Sequence, residues 1–262
     1  MSRPGESTPD HADVVFIGDS FTWGHGIEGA DTFAYGVGKR LGTSTENLSM
    51  GSYGPTHSLQ LLRRNLDLAP RLIVYSFIDD HLRRNVHPCA PSYYPFCLDQ
   101  AHVAWSEGRP AIAPPFSNGV RRIYLHLEAQ QRGLWPPAWI VHGLDIALGK
   151  ILFDAGNKDA TDPDKQKAAL EFLLGEMSNT ARSINANLLI VYIPMVRSTA
   201  PPAALRQSVA SLGVEFLDLL PAFQRHQGAP LFIPNDGHPD VAGHALIADE
   251  IAAAVRARGL LN

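Results

Sequence analysis

Two short stretches near opposite ends of the chain hold residue types that can work together in nucleophilic chemistry. The first is Val14-Val15-Phe16-Ile17-Gly18-Asp19-Ser20-Phe21-Thr22-Trp23-Gly24, an apolar run that breaks at Gly-Asp-Ser. The second is Asn235-Asp236-Gly237-His238-Pro239-Asp240-Val241-Ala242-Gly243-His244. A serine hydroxyl is a poor nucleophile at neutral pH and needs a base within hydrogen-bond reach, itself oriented by a third group. Ser20 and His238 supply the first two types. Asp236 stands just ahead of His238, although Asp236-Gly237 also has the composition of a simple turn. No Gly-x-Ser-x-Gly elbow occurs, so the nucleophile turn of α/β-hydrolases is missing. His238 and His244 lack a third partner for a metal site, and no metal or cofactor is expected.

Positioning such a pair requires a scaffold that brings the chain ends together. Val14 to Ile17 has the length and composition of a buried strand, and Gly18 suits a tight turn at its carboxyl end, where open α/β sheets bind ligands. Further strands are expected at Glu46–Met50, Leu72–Phe77, Leu188–Ile193 and Val214–Leu220. Helical spacing covers Asp31–Leu41, His57–Leu68, Asp164–Asn185, Ala203–Leu212 and Asp240–Arg258, with Gly42 and Gly259 suited to helix ends. Nearly continuous apolar strands alternating with helices imply a parallel sheet covered on both faces. Right-handed crossovers then give a doubly wound, three-layer α/β/α sandwich of about five strands. Ser20 and His238 would both lie at carboxyl ends of strands.

The alternation fails from about residue 83 to 162. Residues 88–116 carry six prolines and read as loop, while Val120–Trp135 and Ala138–Phe153 read as helices separated by Pro136-Pro137. The excursion is longer than an ordinary crossover and is expected to be an insertion after the third strand, within one domain spanning 1–262. Tyr93, Tyr94, Phe96, Trp105 and Phe116 either wall a substrate pocket or fill a satellite core. Cys89 and Cys97 either pair as a local disulfide in an oxidising compartment or stay free thiols.

Taken together, the Gly-Asp-Ser loop and the carboxyl-terminal Asp-Gly-His segment resemble the SGNH/GDSL hydrolase family, as an ordered set of blocks with a long unmatched middle. The resemblance implies a sheet order of 2-1-3-4-5 and a serine esterase acting through an acyl-enzyme on Ser20. His238 would be the base and Asp236 its orienting carboxylate, an Asp-x-His spacing that some relatives use; Asn235 stands where the commoner Asp-x-x-His pattern has its acid. The oxyanion hole would draw on the backbone N–H of Ser20 and on Ser52, Gly51 or Gly54, with Ser52 favoured and Gly51 next, in the block led by Asn47. The third block departs from the pattern: Phe77-Ile78-Asp79-Asp80 places Asp79 where the family has an oxyanion-donating Asn. An ionised carboxylate accepts hydrogen bonds only, so Asp79 must be protonated, turned away, or replaced by a donor such as Asn85 or His81. Asp19, Trp23, Tyr53 and Asp80 are the expected substrate contacts.

The expected substrate is a small-molecule or carbohydrate ester with a small acyl or O-acetyl group. Two alternatives stand beside hydrolysis: an O-acyltransferase using the same acyl-enzyme, and a non-catalytic binding module of the same fold. The net charge of −4 argues against a nucleic-acid partner. No stretch reaches the roughly 18 apolar residues of a membrane span. The polar start, Met1 to Ala12, fits a cytoplasmic protein, or a periplasmic or secreted one whose export signal has been removed. Oligomeric state is not readable.

Overall fold

A computed structural model describes residues 10–90, 99–115, 147, 150, 151, 158–228 and 230–261. The expected helices at 120–135 and 138–153 fall almost wholly outside the described residues. Tyr93, Tyr94, Phe96, Cys97 and Phe116 lie outside them too. Cys89 is buried and disulfide-bonded.

Five parallel strands form the main sheet: β1 (Val14–Ile17), β2 (Thr45–Asn47), β3 (Leu72–Phe77), β6 (Asn187–Tyr192) and β7 (Glu215–Asp218). Their order is β2-β1-β3-β6-β7, which in terms of this sheet's own strands is 2-1-3-4-5. Registers run Val14↔Thr45, Val14↔Leu72, Leu72↔Asn187 and Leu189↔Glu215. β1 and β3 are buried along their whole length, and β6 along all but its first residue, as strands covered on both faces must be. The edge strands β2 and β7 are short and carry charged residues, which protects open sheet edges.

Side-chain alternation along the strands divides the core into two layers. Val14, Phe16, Leu72, Val74, Leu189 and Val191 pack on one face with Phe33 and Val37 of α2 (Phe33–Leu41) and Ile247 and Ile251 of α8 (Val241–Arg258). On the other face α3 (Pro55–Arg64) and α5 (Pro163–Ser183) bury Leu59, Leu62, Leu170, Leu173, Leu174 and Met177 completely. Arg63 of α3 is ion-paired with Glu176 of α5. α6 (Ala203–Leu212) connects β6 to β7 and ends at Gly213 in the left-handed conformation.

Three short helices were not anticipated: α1 (Ser20–Trp23), α4 (His81–Arg84) and α7 (Leu220–Arg225). One turn of helix offers too few residues for an apolar period to register. α3 begins at Pro55 rather than His57, proline being favoured in a first helical turn.

The chain divides into two compact units, one of residues 1–81 and 170–262, the other of 82–169. In the second unit the loop expected over 88–116 is corrected. β4 (His102–Ser106) and β5 (Arg109–Ala113) form an antiparallel hairpin. Its turn uses Glu107 and Gly108, both at positive φ, and Pro110 is tolerated because a two-stranded ribbon has unpaired outer edges. Within this unit the Lys165 ammonium lies 5.3 Å from the centroid of the Trp105 ring.

Candidate active site

β1 ends at Ile17, and the backbone passes at once into α1, so Ser20 stands at the carboxyl end of a central strand. Gly18 is required by close approach: a Cβ there would lie 2.2 Å from the Thr22 hydroxyl oxygen. Asp19 caps α1 by accepting from the Phe21 N–H at 3.0 Å. Its other carboxylate oxygen is 3.3 Å from His81 Nε2, and both side chains are fully buried. The second ring nitrogen of His81 meets the Tyr75 hydroxyl at 2.9 Å. Asp19, expected at the substrate, therefore directs its carboxylate into the protein beneath the serine turn. From the other side, the Asn47 side chain at the end of β2 donates to the Thr22 carbonyl at 2.7 Å.

His238 does not leave directly from a strand end, contrary to expectation. It sits in the loop between α7 and α8, well beyond the end of β7. That loop is held by its own backbone: Ile233 N–H donates to the His238 carbonyl at 2.8 Å, and Asp240 N–H to the Leu231 carbonyl at 3.0 Å. Asp240 caps α8 through the Gly243 N–H at 2.8 Å. A Cβ on Gly243 would lie 2.2 Å from the Leu231 carbonyl oxygen, so glycine is what lets α8 approach the loop.

Ser20, His238 and Asp236 come together. His238 Nε2 is 2.8 Å from Ser20 Oγ, and His238 Nδ1 is 2.5 Å from Asp236 Oδ1. The same carboxylate oxygen accepts the His238 backbone N–H at 3.1 Å. With Nδ1–H donated to the carboxylate, Nε2 is the free base facing the hydroxyl. Burial pushes the Asp236 carboxyl up, but the hydrogen bonds from His238 and the charge of that ring outweigh it and hold it below its ordinary value. Asn235, at the alternative acid position, is in a left-handed turn with φ 62.

The other expected residues are spread around this centre. Ser20 is the first residue of α1, where a backbone N–H has no partner within the helix. Ser52 holds a left-handed φ of 66, and Gly51 borders open space. Asp79 accepts from the Tyr192 hydroxyl at 3.1 and 3.2 Å and from the Ser198 hydroxyl, so its carboxylate is turned to β6 and the loop after it. Among the options open for Asp79, this geometry is the turned-away one. Burial, with the Asp79 charge adding to it, raises the Tyr192 phenol above its ordinary range. Tyr53 stacks on His57 with centroids 4.7 Å apart, Trp23 is 40% exposed, and Asp80 sits in the turn before α4.

His244 is buried in the first turn of α8, and its Nδ1 accepts the Phe33 N–H at 3.0 Å. It packs in the core and is remote from ligand chemistry. His25, which sequence spacing did not connect to the site, places its ring 4.4 Å from that of His238 and its Nε2 3.7 Å from Asp236 Oδ2. Alongside, a groove of about 350 Å³ is lined by Pro194, Met195, Val196, Phe223, Leu231 and Phe232 among others. A Cβ on Gly237 would stand 3.7 Å from Val196, which sets this groove beside the His238 loop.

No protein-family model and no curated protein matches the sequence significantly. Solved structures do match in fold. A carbohydrate esterase family 2 enzyme with a carbohydrate-binding domain, from Corynascus thermopiles (Myceliophthora fergusii), aligns over 98% of this chain and 69% of its own, with 15% identity and a TM-score of 0.50. A carbohydrate esterase whose active site displays divergent catalytic and non-catalytic binding functions aligns over 98% and 69%, with 13% identity and a TM-score of 0.50. An SGNH hydrolase candidate from Slackia heliotrinireducens aligns over 93% and 98%, with 13% identity and a TM-score of 0.47. With its parallel sheet in the order 2-1-3-4-5 and helices on both faces, the chain shares its fold with these two carbohydrate esterases.

Proposed function

We propose that the protein is a serine esterase that hydrolyses carboxylic esters through an acyl-enzyme on Ser20. The observation that carries this reading is the continuous hydrogen-bonded line from Ser20 Oγ through His238 to Asp236. In the first half-reaction His238 Nε2 takes the Ser20 proton as Oγ attacks the ester carbonyl. The proton is then handed to the departing alkoxide, which leaves as the alcohol. In the second, His238 activates a water that attacks the acyl-enzyme, and Ser20 recovers its proton as the acid leaves. Asp236 holds the Nδ1–H tautomer and stabilises the imidazolium that forms in each half.

The developing oxyanion needs donors already in place. The Ser20 N–H at the start of α1 is the first, and the backbone at Gly51 and Ser52 is the second. Asp79, committed as an acceptor to Tyr192 and Ser198, stays outside the oxyanion hole. The groove beside Val196, lined by apolar side chains such as Met195, Phe223 and Phe232 and by polar ones such as Ser198, Gln224 and His226, is proposed to take one side of the ester. Likeness in fold to carbohydrate esterases keeps O-acetylated sugars among the substrates to be tried.

The test is turnover of p-nitrophenyl acetate, butyrate and octanoate by the wild type and Ser20→Ala. The expected result is hydrolysis by the wild type, a burst of p-nitrophenol at short times where deacylation is slower than acylation, and loss of both in Ser20→Ala. Turnover that survives Ser20→Ala would sink the assignment. Transfer of the acetyl group to an added sugar in place of water would move the conclusion to an O-acyltransferase.

A further inference from the structure

His25 has no part in the line from Ser20 to Asp236, yet it is held against it. Its backbone N–H donates to the Ser20 carbonyl at 3.0 Å, so the turn that carries the nucleophile also fixes this residue. Trp23 lies on one side of the His25 ring, with centroids 6.3 Å apart, and His238 is close by at 4.4 Å. Of the Asp236 carboxylate, Oδ1 is engaged by His238, while Oδ2 faces His25 Nε2 at 3.7 Å. That separation is too long for a hydrogen bond. It is close to the roughly 3.4 Å between two ligand atoms that share one tetrahedral zinc ion at about 2.1 Å each. One ligand atom each from His25, Asp236 and His238 lies within 4.8 Å of the other two. The side chains of His25 and Asp236 are 47% and 34% exposed, which leaves an entry path.

From this geometry we infer that His25, Asp236 and His238 form a binding site for a zinc-class divalent transition metal, and that the metal switches the Ser20 site off. Two imidazole nitrogens and one carboxylate oxygen suit zinc, cobalt, nickel or copper, whereas magnesium and calcium favour all-oxygen sets. Three protein ligands leave a fourth position for water. To enter, the metal replaces the proton on His238 Nδ1, which passes to solvent, and a lone pair of Asp236 joins it. The Asp236–His238 hydrogen bond is then broken and the ring carries a dication, so Nε2 no longer accepts the Ser20 proton. The metal is an inhibitor here, with no role in the ester chemistry itself.

The inhibitory half of this inference rests on the esterase reading; the binding half does not, and the two are read separately. Wild-type protein and His25→Gln, freed of metal with a chelator, are titrated with zinc chloride in a calorimeter and with cobalt chloride in a spectrophotometer. The expected result is one zinc per wild-type chain at micromolar concentration and visible absorption bands of tetrahedral cobalt. In His25→Gln the zinc midpoint should rise by more than about tenfold, since a whole ligand is lost. In parallel, p-nitrophenyl acetate hydrolysis by the wild type should fall with the same midpoint and return on adding EDTA. Whatever rate metal-free His25→Gln retains should resist zinc at concentrations that silence the wild type. A midpoint unchanged in His25→Gln, or no zinc uptake by the wild type, overturns the site. Zinc uptake with undiminished hydrolysis overturns the inhibition, and uptake by a protein that hydrolyses no ester retires the esterase reading while leaving the metal site standing.

Discussion

At the scale of single residues, Asp236 is the position whose role separates most cleanly from its contribution to stability. Its side chain is 34% exposed and its Oδ1 fixes His238 by two bonds. Asp236→Asn keeps the shape but turns one acceptor into a donor, favouring the wrong imidazole tautomer. The expected outcome is a loss of roughly 10²–10⁴ in kcat on p-nitrophenyl acetate, with KM little altered and a melting temperature near that of the wild type. Asp79→Asn should do the reverse. Tyr192 and Ser198 both donate to that carboxylate, so an amide there satisfies fewer of them and loses charge assistance. Chemical denaturation should show a loss of about 1–3 kcal/mol, and esterase turnover should change by less than about threefold. Ser20, His238 and Asp236 could be singled out together because the Gly-Asp-Ser and Asp-Gly-His runs resemble two blocks of one family, and the structure brings the three within hydrogen-bond reach. His25 was not. Its relation to Asp236 and His238 exists only through the packing of two loops from opposite ends of the chain, and no spacing records it.

At the scale of elements, the site depends on how closely α8 approaches the loop that feeds it. α8 starts against the Leu231 carbonyl, and a Gly243→Ala methyl would lie 2.2 Å from that backbone oxygen. Backbone does not rotate aside as a side chain does, so the loop carrying Asp236 and His238 must move. The expected cost is about 1–3 kcal/mol in denaturant unfolding. A drop in kcat larger than the stability loss explains should accompany it. Gly51→Ala is the contrasting case: a Cβ there meets nothing within 4 Å, and stability should stay within about 0.5 kcal/mol of the wild type. The long elements were readable from sequence for a physical reason. β1, β3 and β6 are buried on both faces and so are almost continuously apolar, and the helices that cover them show an apolar stripe. The one-turn helix α1 and the hairpin β4–β5 were not readable. The first depends on the Asp19 cap and the buried Asp19–His81–Tyr75 chain, which join residues far apart in sequence. The second is set by a turn at Glu107-Gly108 that the surrounding prolines obscured.

At the scale of the whole molecule, acid should loosen the packing of α8 on α2 before it reaches the carboxylates. His244 of α8 is 1% exposed, stacks on Phe33 with centroids 5.3 Å apart, and accepts the Phe33 N–H at 3.0 Å. That bond needs a lone pair on Nδ1, so the ring is neutral with its proton on Nε2, and adding a second proton would set two N–H groups against each other. Burial lowers the His244 pKa to about 4 from an ordinary 6.5, the nearby Asp240 charge opposing only in part. In the unfolded chain the ring takes up its proton near 6.5, and in the folded chain only near 4. Between these values the unfolded state binds more protons, so stability rises with pH there. The contribution is whole above pH 6.5, declines as pH falls toward 4, and has reached its full loss below that, a difference of about 3 kcal/mol. The carboxylates act lower. Asp13, held down chiefly by the Ser44 hydroxyl, and Asp236 both have folded values below their ordinary 3.8, so their stabilisation is lost only as pH falls from about 4 downward. The two windows can therefore be told apart by urea unfolding at a series of pH values. His244→Asn should lower stability at pH 8, because the smaller side chain leaves part of the stacking space against Phe33 empty. It should also flatten the slope between pH 6.5 and 4 while leaving the steeper acid limb in place. A wild-type profile that is level across that interval would mean that the His244 ring protonates as readily inside the core as in the unfolded chain, and would overturn the pH dependence assigned to it.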